Sequence, residues 1–149
     1  MIKSMTKYTF AFLLFLFFQN TLTAQKLINW SYLGDVKYEV EYSEELGYNL
    51  HIATFGKSIK DLDGKEVIIS GHMIPLDPMG ISYVLSKNPN SSCFFCGGAG
   101  PETVLELELK PSAIKRYEVD SVVEFKGILK LNKIDDKHLT YVLKEAEPN

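Results

Sequence analysis

Two strand-like stretches, residues 65–74 and 121–131, each carry an internal glycine, Gly71 and Gly127. A glycine inside a strand favours a bend or a bulge, because its backbone tolerates conformations that other residues avoid. Such bends let one strand pair on both sides of a closed barrel. The pattern therefore predicts a small barrel. In the first stretch the positions that share one face are Val67, Ile69, Gly71 and Met73.

Further strand patterns occupy residues 81–86, 103–109 and 139–144. The second of them has the most regular alternation in the chain, which is typical of a half-buried strand. It predicts that three leucines point inward and two glutamates outward: Leu105, Leu107 and Leu109 against Glu106 and Glu108.

A short helix is expected over residues 110–116, because Pro111 suits a first helical turn. Five strands with this helix before the fourth indicate a mostly β fold, a small Greek-key barrel of the OB type. The alternative is an antiparallel β-sandwich or an incomplete barrel, in which earlier segments add strands.

Residues 25–149 are expected to form one domain, with an N-terminal extension at 25–60 and the barrel core at 61–149. Within the extension, residues 36–42 alternate apolar and charged side chains, as a strand does. Residues 49–55 are a second extended piece. The segment around Trp30 fits either a turn of helix or an edge segment.

Residues 1–24 resemble a cleaved secretory signal peptide. Lys3 and Lys7 precede an apolar run of about eleven residues, shorter than the roughly 20 that a spanning helix needs, and Ala24 ends a polar exit. We expect a periplasmic or secreted protein with no stable membrane span after cleavage. The formal net charge of −3 argues against nucleic-acid binding, which favours a basic surface.

The two cysteines of the chain, Cys93 and Cys96, stand two residues apart and are followed by Gly97 and Gly98. Such a Cys-x-x-Cys-Gly sequence resembles a zinc knuckle, in which backbone N–H groups point at the first sulfur. It supplies two of the four ligands of a tetrahedral site. His51, His72, His138, nearby carboxylates or a second chain would have to supply the others, for zinc or another transition metal.

Two other interpretations of the cysteine pair stay open. Exported proteins meet oxidising conditions, so a Cys93–Cys96 disulfide is the plainer alternative. A thiol–disulfide redox protein is the other, although the glycines after Cys96 make a poor helix start for lowering a thiol pKa. Covalent haem attachment is excluded, because Gly97 stands where that motif needs histidine.

Phe94 and Phe95 lie between the cysteines and are interpreted as a barrel plug in preference to an exposed partner contact, because large exposed apolar patches are uncommon. The chain contains neither a G-x-S-x-G nor a P-loop pattern, and no catalytic residue is predicted.

Several short motifs together resemble an exported bacterial family, the domain of unknown function DUF3299. They are Trp30, the Leu-Asp-Gly-Lys of 62–65, Gly71 with the Met-Ile-Pro-Leu of 73–76, the Tyr-Val-Leu-Ser of 83–86 and the Cys-Phe-Phe-Cys-Gly of 93–97. The resemblance implies a small periplasmic domain without an established activity, associated in some members with metal-uptake transporters. His72 stands where relatives are expected to carry an aromatic residue, which argues against it as a ligand common to the family.

These observations predict a non-enzymatic binding or accessory module whose functional edge is the cysteine loop. Metal handling is the leading specific hypothesis, with Cys93, Cys96 and His72 as candidate ligands and a metal-transport or envelope protein as candidate partner. The competing hypotheses are a structural interaction domain with a Cys93–Cys96 disulfide and a thiol-redox protein.

Overall fold

The computed structural model describes residues 25–44, 47–134 and 137–149; the expected signal peptide at 1–24 lies outside them. Over these described ranges there are two short α-helices, α1 at Trp30–Leu33 and α2 at Lys57–Lys60. The described strands are β1 (Lys26–Leu27), β2 (Val36–Ser43), β3 (Tyr48–Phe55), β4 (Glu66–Pro75), β5 (Tyr83–Ser86), β6 (Val104–Leu109), β7 (Val122–Leu131) and β8 (Tyr141–Pro148).

Within the described residues, strands β4 to β8 close into a five-stranded barrel. The sheet order is β1-β4-β5-β6-β8-β7, and β7 pairs back onto β4. Within the barrel the neighbours are antiparallel except β6 and β8, which run parallel. This is the Greek-key arrangement of the OB type that the strand patterns predicted, and the sandwich alternative is wrong.

The two internal glycines lie where strands must approach closely. A Cβ at Gly71 would lie 2.7 Å from the backbone oxygen of Ser86, and one at Gly127 would lie 2.7 Å from that of Lys144. The register between β7 and β8 shifts between Lys126 and Ile128, and Glu145 on β8 has φ 51°. The extra residue is thus on β8, and Gly127 leaves the space that this bulge needs.

The barrel core follows the predicted alternation. In β4 the fully buried side chains are Val67, Ile69 and Met73. In β6 Leu105 is fully buried and Leu107 is nearly so. Leu109 is only partly buried at the barrel end. Val84 of β5 and Val104 of β6 are also fully buried although they point away from the barrel interior, so the outer face of these strands is covered too.

Residues 25–60 share the core of the barrel. Leu33 of α1, Phe55 of β3 and Ile59 of α2 pack with the barrel residues in one buried cluster. The hydroxyl of Tyr141 donates to the backbone oxygen of Leu33 at 2.5 Å, and Trp30 Nε1 donates to Ser70 O at 2.8 Å. The two extended pieces predicted here are the antiparallel pair β2–β3, a separate two-stranded sheet.

The helix expected at 110–116 is a single 3₁₀ turn, Pro111–Ala113. The chain becomes extended at Ile114, and the oxygen of Ala113 accepts a hydrogen bond from the Tyr117 hydroxyl at 2.9 Å. That bond satisfies a carbonyl that a continuing helix would use. Among the described residues no helix has the length and apolar character required to cross a membrane.

Candidate functional site

A cleft of about 470 Å³ opens where three segments of the chain meet. Its volume lies within the range of small-molecule sites, roughly 300–1,000 Å³. The lining residues are Tyr38, Tyr48, Asn49 and Leu50 of the β2–β3 hairpin, Phe94 and Pro101 beside the cysteines, and residues 132–134 and 138–140 between β7 and β8.

The hairpin forms one wall because it extends past the barrel. Its base is held where Ala53 N donates to Lys133 O at 3.3 Å. Ala53 is paired with Tyr38, which packs against the core. Further along β2, Val40 and Tyr42 are 58% and 65% exposed, so the hairpin leaves the barrel surface there. The cleft lies between this outer part of the hairpin, which carries Tyr48, Asn49 and Leu50, and the other two segments.

The cleft surface is mostly apolar and carries little charge. Aromatic and aliphatic side chains from all three segments supply most of it. Among its described lining residues none is acidic; Lys133 carries a positive charge and His138 is titratable. Such a surface suits a ligand with an apolar body oriented by a few polar contacts.

Tyr38 brings an unsatisfied polar atom to this wall. Its hydroxyl oxygen is buried, and no hydrogen bond of ordinary geometry satisfies it among the described residues. Burial raises the pKa of this hydroxyl, and weak hydrogen bonding to Thr140 and Tyr141 opposes the rise. A buried hydroxyl with no partner at all costs about 1–3 kcal/mol, so incomplete hydrogen bonding here costs a part of that.

The cysteine loop, residues 87–103, covers the outer face of the barrel beside the cleft. Two 3₁₀ turns, Asn90–Ser92 and Phe94–Cys96, flank Cys93. The Cys93 side chain is fully buried and packs with Ile74 and Val84 on the outside of β4 and β5. Cys93 is thus the apolar anchor of the loop, whereas Cys96 is exposed.

The two thiols are free and close together. The hydrogen bond between the two side chains raises the pKa of the Cys96 thiol, with smaller contributions from burial and the charge of Cys93. Cys96 Sγ also contacts the oxygen of Asn90 at 3.2 Å. The arrangement is that of a dithiol whose two side chains lie within hydrogen-bonding reach.

The backbone around the pair differs from the expected zinc knuckle. Gly97 has φ 73°, which explains why glycine follows Cys96. However, the N–H groups of Cys96 and Gly98 donate to the oxygen of Cys93, both at 3.2 Å. A knuckle would direct such N–H groups to the first sulfur. The glycines therefore serve a turn in this structure.

The candidate ligands that the structure describes do not come together as a group of three. His72 Nδ1 lies 3.3 Å from the backbone oxygen of Asp120. The Asp120 carboxylate accepts from Asn90 N at 2.6 Å, which ties the cysteine loop to the start of β7. Within the described part of the chain, no group of three or more His, Cys, Asp or Glu residues could hold a metal ion. The side chain of His51 lies outside the described part.

Glu106 has a structural task that the alternation did not predict. Its carboxylate is 3.0 Å from His138 Nδ1 and accepts from Leu139 N at 3.0 Å. Its side chain is only 21% exposed. Glu106 was predicted only to point outward, and it has a further role: it fixes the segment before β8 that forms a wall of the cleft.

The phenylalanine pair does not plug the barrel. Phe94 is half-buried and lines the cleft, and Phe95 is 48% exposed. Their rings pack edge to face with centroids 5.3 Å apart. The plug interpretation is wrong because the barrel interior is already filled by the leucines and aromatic residues of its own strands.

Replacing Cys93 with serine is expected to cost about 1–3 kcal/mol of unfolding free energy, because a hydroxyl would be buried among apolar side chains. Cys96→Ser is expected to change stability by less than about 0.5 kcal/mol, since the residue is exposed. Urea unfolding of both variants under reducing and non-reducing conditions checks this. If both variants lost the same large amount of unfolding free energy, and only under non-reducing conditions, the cysteines would form a structural disulfide instead.

Among solved structures, a DUF3299 family protein from Pseudomonas aeruginosa PAO1 is similar to this chain, with a TM-score of 0.53 and 13% sequence identity. The match covers 85% of this chain and 97% of that chain. No protein-family model matches the sequence, and no curated protein matches it significantly. An identity this low shows a common fold alone. The motifs quoted above pointed to the same family, so the expected resemblance to DUF3299 is confirmed in the fold.

Proposed function

We propose that this protein is an exported, non-enzymatic binding module whose ligand site is the cleft between the β2–β3 hairpin, the cysteine loop, and residues 132–134 and 138–140. The observation that carries the proposal is the cleft itself: about 470 Å³, largely apolar, with a few polar groups at its rim. A concave apolar site with a few convergent polar groups is the usual form of a ligand site.

The thiol chemistry supports a binding role over a redox role. A nucleophilic or redox-active cysteine needs a lowered pKa, because the thiolate is the reactive form. The accessible thiol here is that of Cys96, and its hydrogen bond with Cys93 raises its pKa. The other thiol is buried under the loop.

The test is an NMR titration of the ¹⁵N-labelled mature protein with the low-molecular-mass extract of envelope fractions from source cells. Shifts are expected to concentrate at residues that line the cleft, and Phe94→Ala is expected to weaken them. Phe95→Ala is the matched control, because this neighbouring ring does not line the cleft. Shifts located away from the cleft, or equal effects of the two variants, would contradict the proposal.

Metal handling is a second candidate function, favoured by one specific observation, the two thiols held within hydrogen-bonding reach. Zinc or another transition metal at Cys93 and Cys96 would then take its remaining ligands from a second copy or from a partner such as a metal-transport or envelope protein. Elemental analysis combined with thiol titration of the natively purified protein tests this. About one metal per one or two chains, lost in Cys96→Ser, supports it; metal-free protein with reactive or bridged cysteines excludes it.

Export is part of the proposal and makes its own prediction. The lysines and apolar run of residues 1–24 are expected to direct cleavage after Ala24, so that Gln25 becomes the first residue of the periplasmic or secreted form. N-terminal sequencing and intact mass of the native protein check this. A full-length chain retained in the membrane fraction would contradict it.

A further inference from the structure

We propose that the cleft takes a carboxylate with an apolar body, such as an acyl chain of medium length. The inference deepens the proposed binding function and rests on it. Three features of the described residues carry it: the apolar surface of the cleft, the sign of its charge, and the buried hydroxyl of Tyr38.

The apolar surface selects the body of the ligand. Tyr48, Leu50 and Phe94 lie on the hairpin and loop walls, and Ile134 and Leu139 on the opposite wall. Burial of apolar surface is the main favourable contribution that such walls offer. A sugar or a nucleotide would leave most of its polar groups unpaired against them, which is costly.

The positive charge at the cleft favours an anionic head group. Lys133 lines the cleft and makes no ion pair within the described residues, and the described lining has no acidic side chain. His138 is already engaged with Glu106. Asp135 and Asp136 follow Lys133 in the sequence but lie outside the described residues, so the experiment below includes a cationic probe.

The Tyr38 hydroxyl favours a ligand whose head group accepts a hydrogen bond. Tyr38 lines the cleft, and its hydroxyl has no partner of ordinary geometry among the described residues, only weak hydrogen bonding to Thr140 and Tyr141. Because its atom is covered in the ligand-free protein, binding requires a small movement of neighbouring side chains to expose it. A carboxylate oxygen accepts from a phenol and pairs with an ammonium, whereas an alkylamine, protonated near neutral pH, neither accepts a hydrogen bond nor pairs with a lysine.

The experiment uses three probes that share one chain and differ in head group: decanoate, 1-decanol and decylamine. Each is titrated into the mature protein by calorimetry below its micelle-forming concentration, and the site is located by NMR shifts. Decanoate is expected to bind at the cleft roughly 10-fold more tightly than either other probe, because hydrogen bonds to a charged group are stronger than neutral ones.

Two conservative variants assign the contacts. Tyr38→Phe is expected to weaken decanoate binding roughly 10-fold while raising the melting temperature of the ligand-free protein, because it removes a buried hydroxyl whose hydrogen bonds are incomplete. The matched control is Tyr42→Phe, an exposed tyrosine on the same strand.

Lys133→Gln is expected to weaken decanoate binding roughly 2- to 5-fold and to leave the affinity for decanol unchanged. Lys60→Gln is its control, because Lys60 is an exposed residue of α2 that does not line the cleft.

The outcomes separate this inference from the broader binding function. If decanol or decylamine binds as tightly as decanoate, the proposal of a carboxylate ligand is wrong. It is also wrong if Tyr38→Phe and Tyr42→Phe lose the same affinity for decanoate. If all three probes fail while the envelope extract still shifts cleft residues, the carboxylate is wrong and the binding function stands. If the extract also leaves the cleft unperturbed, both proposals fail.

Discussion

Alanine in place of Leu105 is expected to lower the free energy of unfolding by about 2–5 kcal/mol. Leu105 is fully buried in the barrel core, and the strand that carries it pairs with β5 on one side and β8 on the other. Neighbouring backbone can therefore collapse little into the cavity, which places the loss toward the upper part of the range. Urea unfolding followed by circular dichroism measures it.

Two glutamates on the same strand provide the controls. Glu108→Ala is expected to change stability by less than about 0.5 kcal/mol, since its pair with Lys144 is largely exposed. Glu106→Ala is expected to cost about 1–2 kcal/mol, because it leaves the part-buried N–H of Leu139 without its acceptor. Similar small losses at Leu105 and Glu108 would mean that β6 presents the other face to the core.

The second large effect is expected at the strand glycines. Gly71→Ala and Gly127→Ala are each expected to cost about 1–3 kcal/mol or more, because the new methyl group meets backbone that the barrel holds in place. The nearest atoms are the backbone oxygens of Ser86 and Lys144, each 2.7 Å from the ideal Cβ position. Thermal unfolding of the two variants measures the loss.

Gly34→Ala is the matched control for these substitutions. Gly34 ends α1 with φ −70°, and its nearest contact to a built Cβ is 3.5 Å, an ordinary van der Waals distance. Its replacement is expected to be neutral within about 0.5 kcal/mol. The same loss in all three variants would contradict this explanation, because the effect of alanine on the entropy of the unfolded chain is common to the three sites and is stabilising.

The local structure of the barrel was predictable because strand periodicity is local. Alternation along residues 103–109 assigned Leu105 and Leu107 to the core, and side-chain direction in a strand depends only on the pleat. It missed the second role of Glu106, since nothing in the strand itself shows that residues 138 and 139 lie opposite. The closed Greek-key order followed from the number of strands and from the two glycines.

The cysteine loop was located correctly and its chemistry was not resolved. Spacing alone treats Cys93 and Cys96 as equivalent, whereas the fold buries one thiol and exposes the other. The difference arises because the outer face of β4 and β5 is apolar and needs a cover. The fully apolar Tyr83-Val84-Leu85 run was the signal for this, since a strand covered on both faces lacks alternation.

The sequence by itself determined the strands, the turns between them and the positions where the backbone must bend, because these depend on neighbouring residues. Only the tertiary structure decided the site. The cleft joins Tyr38, Phe94 and Lys133, which are far apart along the chain and carry no common pattern. They meet because β7 closes onto β4, because Ala53 ties the hairpin to Lys133, and because Cys93 holds its loop down. Long-range pairing of this kind is set by the packing of the whole core, which no local stretch encodes.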